Sequence, residues 1–253
     1  MSVVVLPEKA VHAGSLVLVN GRYPCCPGNA ESSLVPVDPG SGVLLERRAA
    51  VLLSELMSRI AGWTQISAVS GWRSSAEQQK IYDRSLRDSG AAFTAQFVAR
   101  PDHSEHQTGL AVDLGLRKPE IDFIRPDFPY SGICRTFRKK AVAYGFIERY
   151  PRGKEAVTGI AHEPWHFRYV GAPHAAIMTE LDLTLEEYHA FLKQYPYGEK
   201  RFSYRAENQS IAVSYQSAAA GADTEIEIGD NLPYSVSGNN TDGFVLTEWT
   251  SGR

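Results

Sequence analysis

The sequence predicts an α+β fold, a small, mostly antiparallel sheet flanked by helices, with a β-rich C-terminal extension. Three observations carry this prediction. Short alternating apolar runs at Gln65–Ser70, Leu110–Leu114, Phe146–Tyr150 and Glu163–Val170 have the period of strands. Stretches of helical period, with start and stop signals, fall between and around them. Beyond about residue 198 the chain turns rich in Ser, Gly, Asn and Thr, with alternating runs at Ile211–Tyr215, Thr224–Ile228 and Phe244–Trp249, a hairpin-like pattern. The expected division is a main domain over residues 1–197 and an extension over 198–253.

Taken in order, Val3–Leu6 and Leu16–Val19 read as strands laid over the main domain, among the turn formers Pro24, Pro27, Gly28, Pro36, Pro39 and Gly40. Apolar residues at Leu53, Leu56, Met57 and Ile60 predict a helix between Val43 and Ile60, with Gly62 as its stop. After the strand Gln65–Ser70, Ser74-Ser75-Ala76-Glu77 is a capping box that opens a helix to about Asp88, closed by Gly90. Phe93–Asp102 reads as an irregular connection. A further helix is predicted from Gly132 to Tyr144, before Gly145. Thr184-Leu185-Glu186-Glu187 is a second capping box, for a helix ending before Pro196.

Composition excludes several classes of function. The 253 residues, 43% hydrophobic and 22% charged, suit a soluble globular chain. A net charge of −3 offers no global basic footprint, so no nucleic-acid partner is expected. The N-terminal residues carry no basic segment ahead of a continuous apolar run, so neither a secretory signal nor a membrane anchor is expected. Cys25, Cys26 and Cys134 form neither a disulfide framework nor a CxxC pair, and read as reduced thiols of a cytoplasmic protein.

The chemistry concentrates in two clusters. Of seven histidines, four lie in Asp102-His103-Ser104-Glu105-His106 and His162-Glu163-Pro164-Trp165-His166. A catalytic zinc takes three nitrogen or oxygen ligands and leaves one position open. His106 precedes a turn at Gly109, and Asp113 follows on a strand among Leu110, Val112 and Leu114, where a bare carboxylate would be unfavourable without a cation or hydrogen-bond partner. Alternation puts Ala111 on the face of Asp113, where its small side chain would leave room for a substrate. Glu163 and His166 are separated by the rigid Pro164. Taken alone, the first cluster equally fits a buried Asp paired with an Arg and a surface His. The second alone equally fits an exposed Glu and a core His. Together they point to one metal site.

The motif Ser-x-His-x-x-Gly-x-Ala-x-Asp, followed by Glu-Pro-Trp-His, resembles the D-alanyl-D-alanine peptidases of the VanX/VanY type. The resemblance runs from roughly Val69 to Val170 and includes Gly71-Trp72-Arg73-Ser74 and the helix bearing Gln78 and Gln79. Ser104 through Gly115, Tyr144-Gly145-Phe146 and Glu163–Gly171 are most similar to the bifunctional VanXY dipeptidase/carboxypeptidases. It implies the VanX-like zinc peptidase fold, one catalytic Zn2+ on His106, Asp113 and His166, and Glu163 as the base. It further implies Arg73 as the group facing the developing oxyanion, with Ser104 and Gln79 binding substrate. The implied substrate is a D-Ala-D-Ala dipeptide or a D-Ala-D-Ala-terminated peptidoglycan precursor, and the implied role is vancomycin resistance through loss of that terminus. No counterpart of residues 199–253 is expected from the resemblance. Two other readings remain: a zinc cell-wall hydrolase for an L,D- or L-Ala-D-Glu bond, and a non-catalytic zinc-stabilised peptidoglycan-binding module, which would have no need of Glu163. His103 and His162 are expected outside the ligand set, and Arg168 and Tyr169 as a rim charge and strand packing.

Overall fold

The computed structural model describes residues 2–26, 33–38, 40–206 and 209–251. The turn formers Pro27, Gly28 and Pro39 lie outside the described residues. The chain forms two compact units, one of residues 19–184 and one that joins residues 1–18 to 185–253. The units therefore divide the chain differently from the expected 1–197 and 198–253. The reason lies in β1 (Ser2–Leu6), whose five residues pair antiparallel with β10 (Thr224–Ile228) rather than with the central sheet.

Within the unit of residues 19–184, β2 (Leu34–Pro36) and β3 (Leu44–Glu46) form a two-stranded ribbon that leads into α1 (Arg47–Arg59). The Glu46 carboxylate caps α1 by accepting from the backbone N–H groups of Arg48 and Ala49. The predicted helix thus begins later than Val43. It stops ahead of Gly62, because Ala61 adopts a left-handed conformation (φ 51°). Ala49, Ala50, Leu53, Leu56 and Met57 bury one face of α1.

The central sheet has the order β4-β5-β7-β6, built from β4 (Ile66–Ser70), β5 (Ala111–Leu116), β6 (Phe146–Tyr150) and β7 (Glu163–Tyr169). All its pairings are antiparallel. The Ser74–Glu77 capping box is present and starts α2 (Ser75–Phe97). Gly90 (φ 81°, ψ 169°) is non-helical and closes a first helical segment as expected, but a second segment follows it directly, so Phe93–Phe97, expected as irregular, is helical. A second short helical segment is possible there because Thr94, fully buried, bonds both Gly90 O and Ser85 Oγ. Then follow α3 (Gly132–Ala141), α4 (Glu155–Thr158) and α5 (Ala172–Glu180). Phe128, Phe137 and Phe167 form an aromatic cluster with ring centroids 4.9–5.7 Å apart.

The other unit contains β1, α6 (Leu185–Leu192) and a sheet of order β11-β12-β9-β8. Its strands are β8 (Phe202–Ala206), β9 (Gln209–Ser217), β11 (Tyr234–Gly238) and β12 (Gly243–Ser251). Leu6, Val11, Ile226, Ile228, Phe244 and Leu246 form its core. Leu16–Val19, read from sequence as a strand, is buried but irregular, with Leu18 N–H bonded to Asn239 O. At Gly238 a Cβ would lie 2.1 Å from Val11 O and 2.3 Å from Ala10 O. Gly238→Ala is therefore expected to destabilise this unit by about 1–3 kcal/mol, read as a lower urea midpoint. An unchanged midpoint would contradict the packing described. Among the described residues no helix is long and apolar enough to cross a membrane.

Candidate functional site

The site is assembled on the central sheet by register. Asp113 on β5 and His166 on β7 are direct cross-strand partners, which brings their side chains to one face at close range. His166 Nδ1 lies 2.9 Å from Asp113 Oδ1. His106 comes from the turn Glu105–Thr108, which Gly109 (φ 71°) reverses into β5. Its Nε2 lies 3.1 Å from Asp113 Oδ2, while its Nδ1 bonds Gly71 O at 2.7 Å. Gly71 must lack a Cβ, which would sit 2.3 Å from Leu44 O. The predicted ligands His106, Asp113 and His166 thus converge, all buried, with one donor atom from each lying within 4.8 Å of the others. Two imidazoles and one carboxylate are the donor set of a catalytic zinc site, so these residues fit a metal ion.

Glu163 stands three positions before His166, a spacing that regular alternation would send to opposite faces. Between Glu148 and Tyr150 on β6 the register shifts, so that Tyr150 pairs with Glu163 while Glu148 pairs with Phe167. This irregularity, between Glu163 and Phe167 on β7, brings Glu163 toward the ligand group, and its Oε2 lies 3.7 Å from His166 Nδ1. Glu163 is only 5% exposed. Arg73, just after β4, sets a guanidinium nitrogen 3.6 Å from Asp113 Oδ2. Its buried Nε has no hydrogen-bond partner among the described residues, which leaves a donor available in the cleft.

Electrostatics from the protein groups match these positions. Burial, and Arg73 nearby, bring His106 down to about 4, so it is a neutral imidazole at pH 7. Burial also pulls on His166, but the hydrogen bond to Asp113 and the negative charge of the nearby Glu105 outweigh it and hold the ring at about 9. Asp113 stays well below the usual carboxylate range despite burial, because His106 and His166 surround it. Burial pushes the Glu163 carboxyl up to about 8, against the pull of His166.

The cleft over these residues also exposes Ser104, as the motif implies, and has apolar walls of Trp165, Tyr150, Phe123, Ile124, Phe97 and Ile160. Gln79 is not part of it. Its side chain is exposed and bonds Asp83 Oδ1 at 2.8 Å. The neighbour Gln78 lines the cleft instead, 1% exposed and bonded to Ala99 O. The helix phase is one residue off the expected one. Ala111 does not open the cleft either: it pairs with Arg168 across the ladder. Arg168 is fully buried on the site face rather than at a rim. Tyr169 packs against Phe146. His103 bonds Asn20 O and His162 bonds Tyr130, so both stand apart from the ligand group. Sequence reasoning missed Glu105, Arg149 and Tyr150 as parts of the site. A Glu between Ser104 and His106 carries no pattern of its own, and the contacts with Arg149 and Arg168 are long-range.

Comparison with known proteins agrees with this geometry. The VanY family, D-alanyl-D-alanine carboxypeptidase, matches residues 43–172. The chain is 42% identical over 183 residues to VanXYC of Enterococcus gallinarum, a bifunctional D-Ala-D-Ala dipeptidase and D-Ala-D-Ala carboxypeptidase; the match covers 71% of this chain and 96% of that protein. The vancomycin-resistance D,D-dipeptidase VanXYg, solved with a D-Ala-D-Ala phosphinate analogue, matches with a TM-score of 0.94 and 48% identity over 98% of this chain and 99% of its own. At that coverage the match extends into the C-terminal extension, for which the sequence resemblance offered no counterpart. A variant of the D,D-pentapeptidase VanY from a VanB-type resistance cassette, in complex with Zn(II), matches with a TM-score of 0.58 and 31% identity over 69% of this chain and 98% of its own. The chain belongs to the VanY family of D-alanyl-D-alanine carboxypeptidases.

Proposed function

We propose that this protein is a zinc-dependent D,D-peptidase that hydrolyses the D-Ala-D-Ala bond of the free dipeptide, of pentapeptide peptidoglycan precursors, or of both. The observation that carries this reading is the Glu163 carboxylate buried beside the convergent His106, Asp113 and His166. A pure binding module has no use for a base at that position, so the hydrolase is favoured over it. His106, Asp113 and His166 would hold a single zinc ion. Bound there, the ion would supply Lewis acidity to the scissile carbonyl and to the attacking water.

The protein groups divide the remaining work. Glu163 takes a proton from the attacking water and returns it to the leaving amine; a carboxylate whose burial raises its proton affinity is suited to both halves of that transfer. Arg73 offers fixed positive charge to the carbonyl oxygen as negative charge develops on it. Ser104, 4% exposed in the cleft, is placed to bond the peptide. Trp165, Phe123 and Tyr150 exclude water and strengthen these interactions. Similarity to a vancomycin-resistance D,D-dipeptidase supports a role in vancomycin resistance, and three free cysteines suit a reducing cytoplasm.

A parallel assay tests the reading, with D-Ala-D-Ala, a pentapeptide ending in D-Ala-D-Ala and one ending in D-Ala-D-Ser as substrates. Release of D-Ala from at least one D-Ala-D-Ala terminus is expected, abolished by a chelator and restored by zinc. Cleavage of an L,D-bond with none of the D,D-substrates turned over would overturn it.

A further inference from the structure

Directly behind His166 lies a group of charges that the proposed reaction does not use. Glu105, Arg149 and Arg168 are almost entirely buried, at 2%, 0% and 0% exposure. Arg149 Nε donates to Glu105 Oε1 at 2.8 Å, and an Arg168 guanidinium nitrogen donates to the same oxygen at 2.7 Å. Two buried cations on one buried anion are unfavourable as a packing device alone, since desolvation opposes them. Both arginines take Oε1 and leave Oε2 with no hydrogen-bond partner among the described residues. The atom facing it, at 3.6 Å, is His166 Nε2, which is itself buried and without a hydrogen-bond partner among the described residues.

The two orphaned atoms are complementary. His166 turns Nδ1 toward Asp113 and Glu163, and Nε2 away from them toward Glu105. In a metal-binding histidine, the hydrogen bond made by one ring nitrogen decides which tautomer is present and fixes the ring for the other. His106 already has such a brace, with Nδ1 on Gly71 O and Nε2 facing Asp113. The 3.6 Å gap exceeds a direct hydrogen bond by about 0.5 Å, a distance that a small side-chain rotation closes.

We infer that Glu105 is a positioning residue for the metal centre: braced by Arg149 and Arg168, it accepts a hydrogen bond from His166 Nε2–H and so commits Nδ1 to the metal. The inference rests on the reading of His166 as a ligand. Register explains how the brace is built. Arg168 sits two residues beyond His166 on the same face of β7, and the small Ala111 opposite it leaves space for the guanidinium.

The test is zinc affinity, measured by chelator competition on the full chain and on Glu105→Gln, with folding checked by circular dichroism. Glu105→Gln keeps the shape but weakens the acceptor, and zinc affinity is expected to fall about 10–100-fold. Affinity within twofold of the parent would overturn the inference. Should the variant fail to fold, because two arginines lose their anion, the unaltered protein still decides. With 15N-labelled histidine and bound zinc, His166 is expected to carry its proton on Nε2, shifted downfield by a carboxylate acceptor. A proton on Nδ1 instead would overturn the proposal. If the unaltered protein binds no zinc at all, the ligand assignment itself fails and the inference falls with it, an outcome distinct from normal zinc binding that is insensitive to Glu105.

Discussion

Glu163→Ala is expected to keep its zinc and lose hydrolysis of D-Ala-D-Ala termini, with kcat lower by roughly 10²–10⁴-fold. The separation follows from the geometry. Glu163 is 3.7 Å from His166 Nδ1 and is not one of the three converging donors, so its removal leaves the ligand set intact. It also removes the one cleft carboxylate whose proton affinity burial has raised toward neutrality. Zinc content by elemental analysis, alongside D-Ala release, checks both halves. Substantial residual turnover in a fully metallated variant would sink the assignment of Glu163 as the base.

His106→Ala is expected to lose zinc and activity together. The remaining donors would be Asp113 and His166 alone, short of the three protein ligands a catalytic zinc site uses. The fold should survive, because Asp113 keeps His166 at 2.9 Å and Arg73 at 3.6 Å. Elemental analysis after dialysis distinguishes this variant from Glu163→Ala, which is inactive yet metallated. A His106→Ala protein that retained stoichiometric zinc would rule out that ligand.

Much of the central sheet and most of the convergent candidate site were legible in the sequence, and the reason is local. Strand alternation at Leu110–Leu114 and Glu163–Val170, the turn at Gly109 and the capping box at Ser74 are short-range signals that survived tertiary packing. The candidate ligands were readable because imidazoles and a buried carboxylate are chemically marked. What escaped was non-local or unpatterned. The pairing of β1 with β10 joins residues more than two hundred positions apart, and nothing in Val3–Leu6 names its partner. The buried residues of α5, His174, Ala175, Ile177 and Met178, share one face, but one of them is polar and the other face carries Ala172 and Ala176, so the sequence shows no amphipathic period. The choice of Gln79 over Gln78 turned on a helix phase that only packing against Ala99 settles. Glu105 looked like an unremarkable charge between two motif residues. Its buried contacts appear only once Arg149 and Arg168 meet it from two separate strands.

The most direct test of the zinc centre is anomalous diffraction at the zinc edge from crystals of the zinc-loaded protein. A single strong peak is expected, bounded by His106 Nε2, the Asp113 carboxylate and His166 Nδ1, with Glu163 beside it and outside bonding distance. A peak elsewhere, or a zinc bound through His166 Nε2, would contradict it.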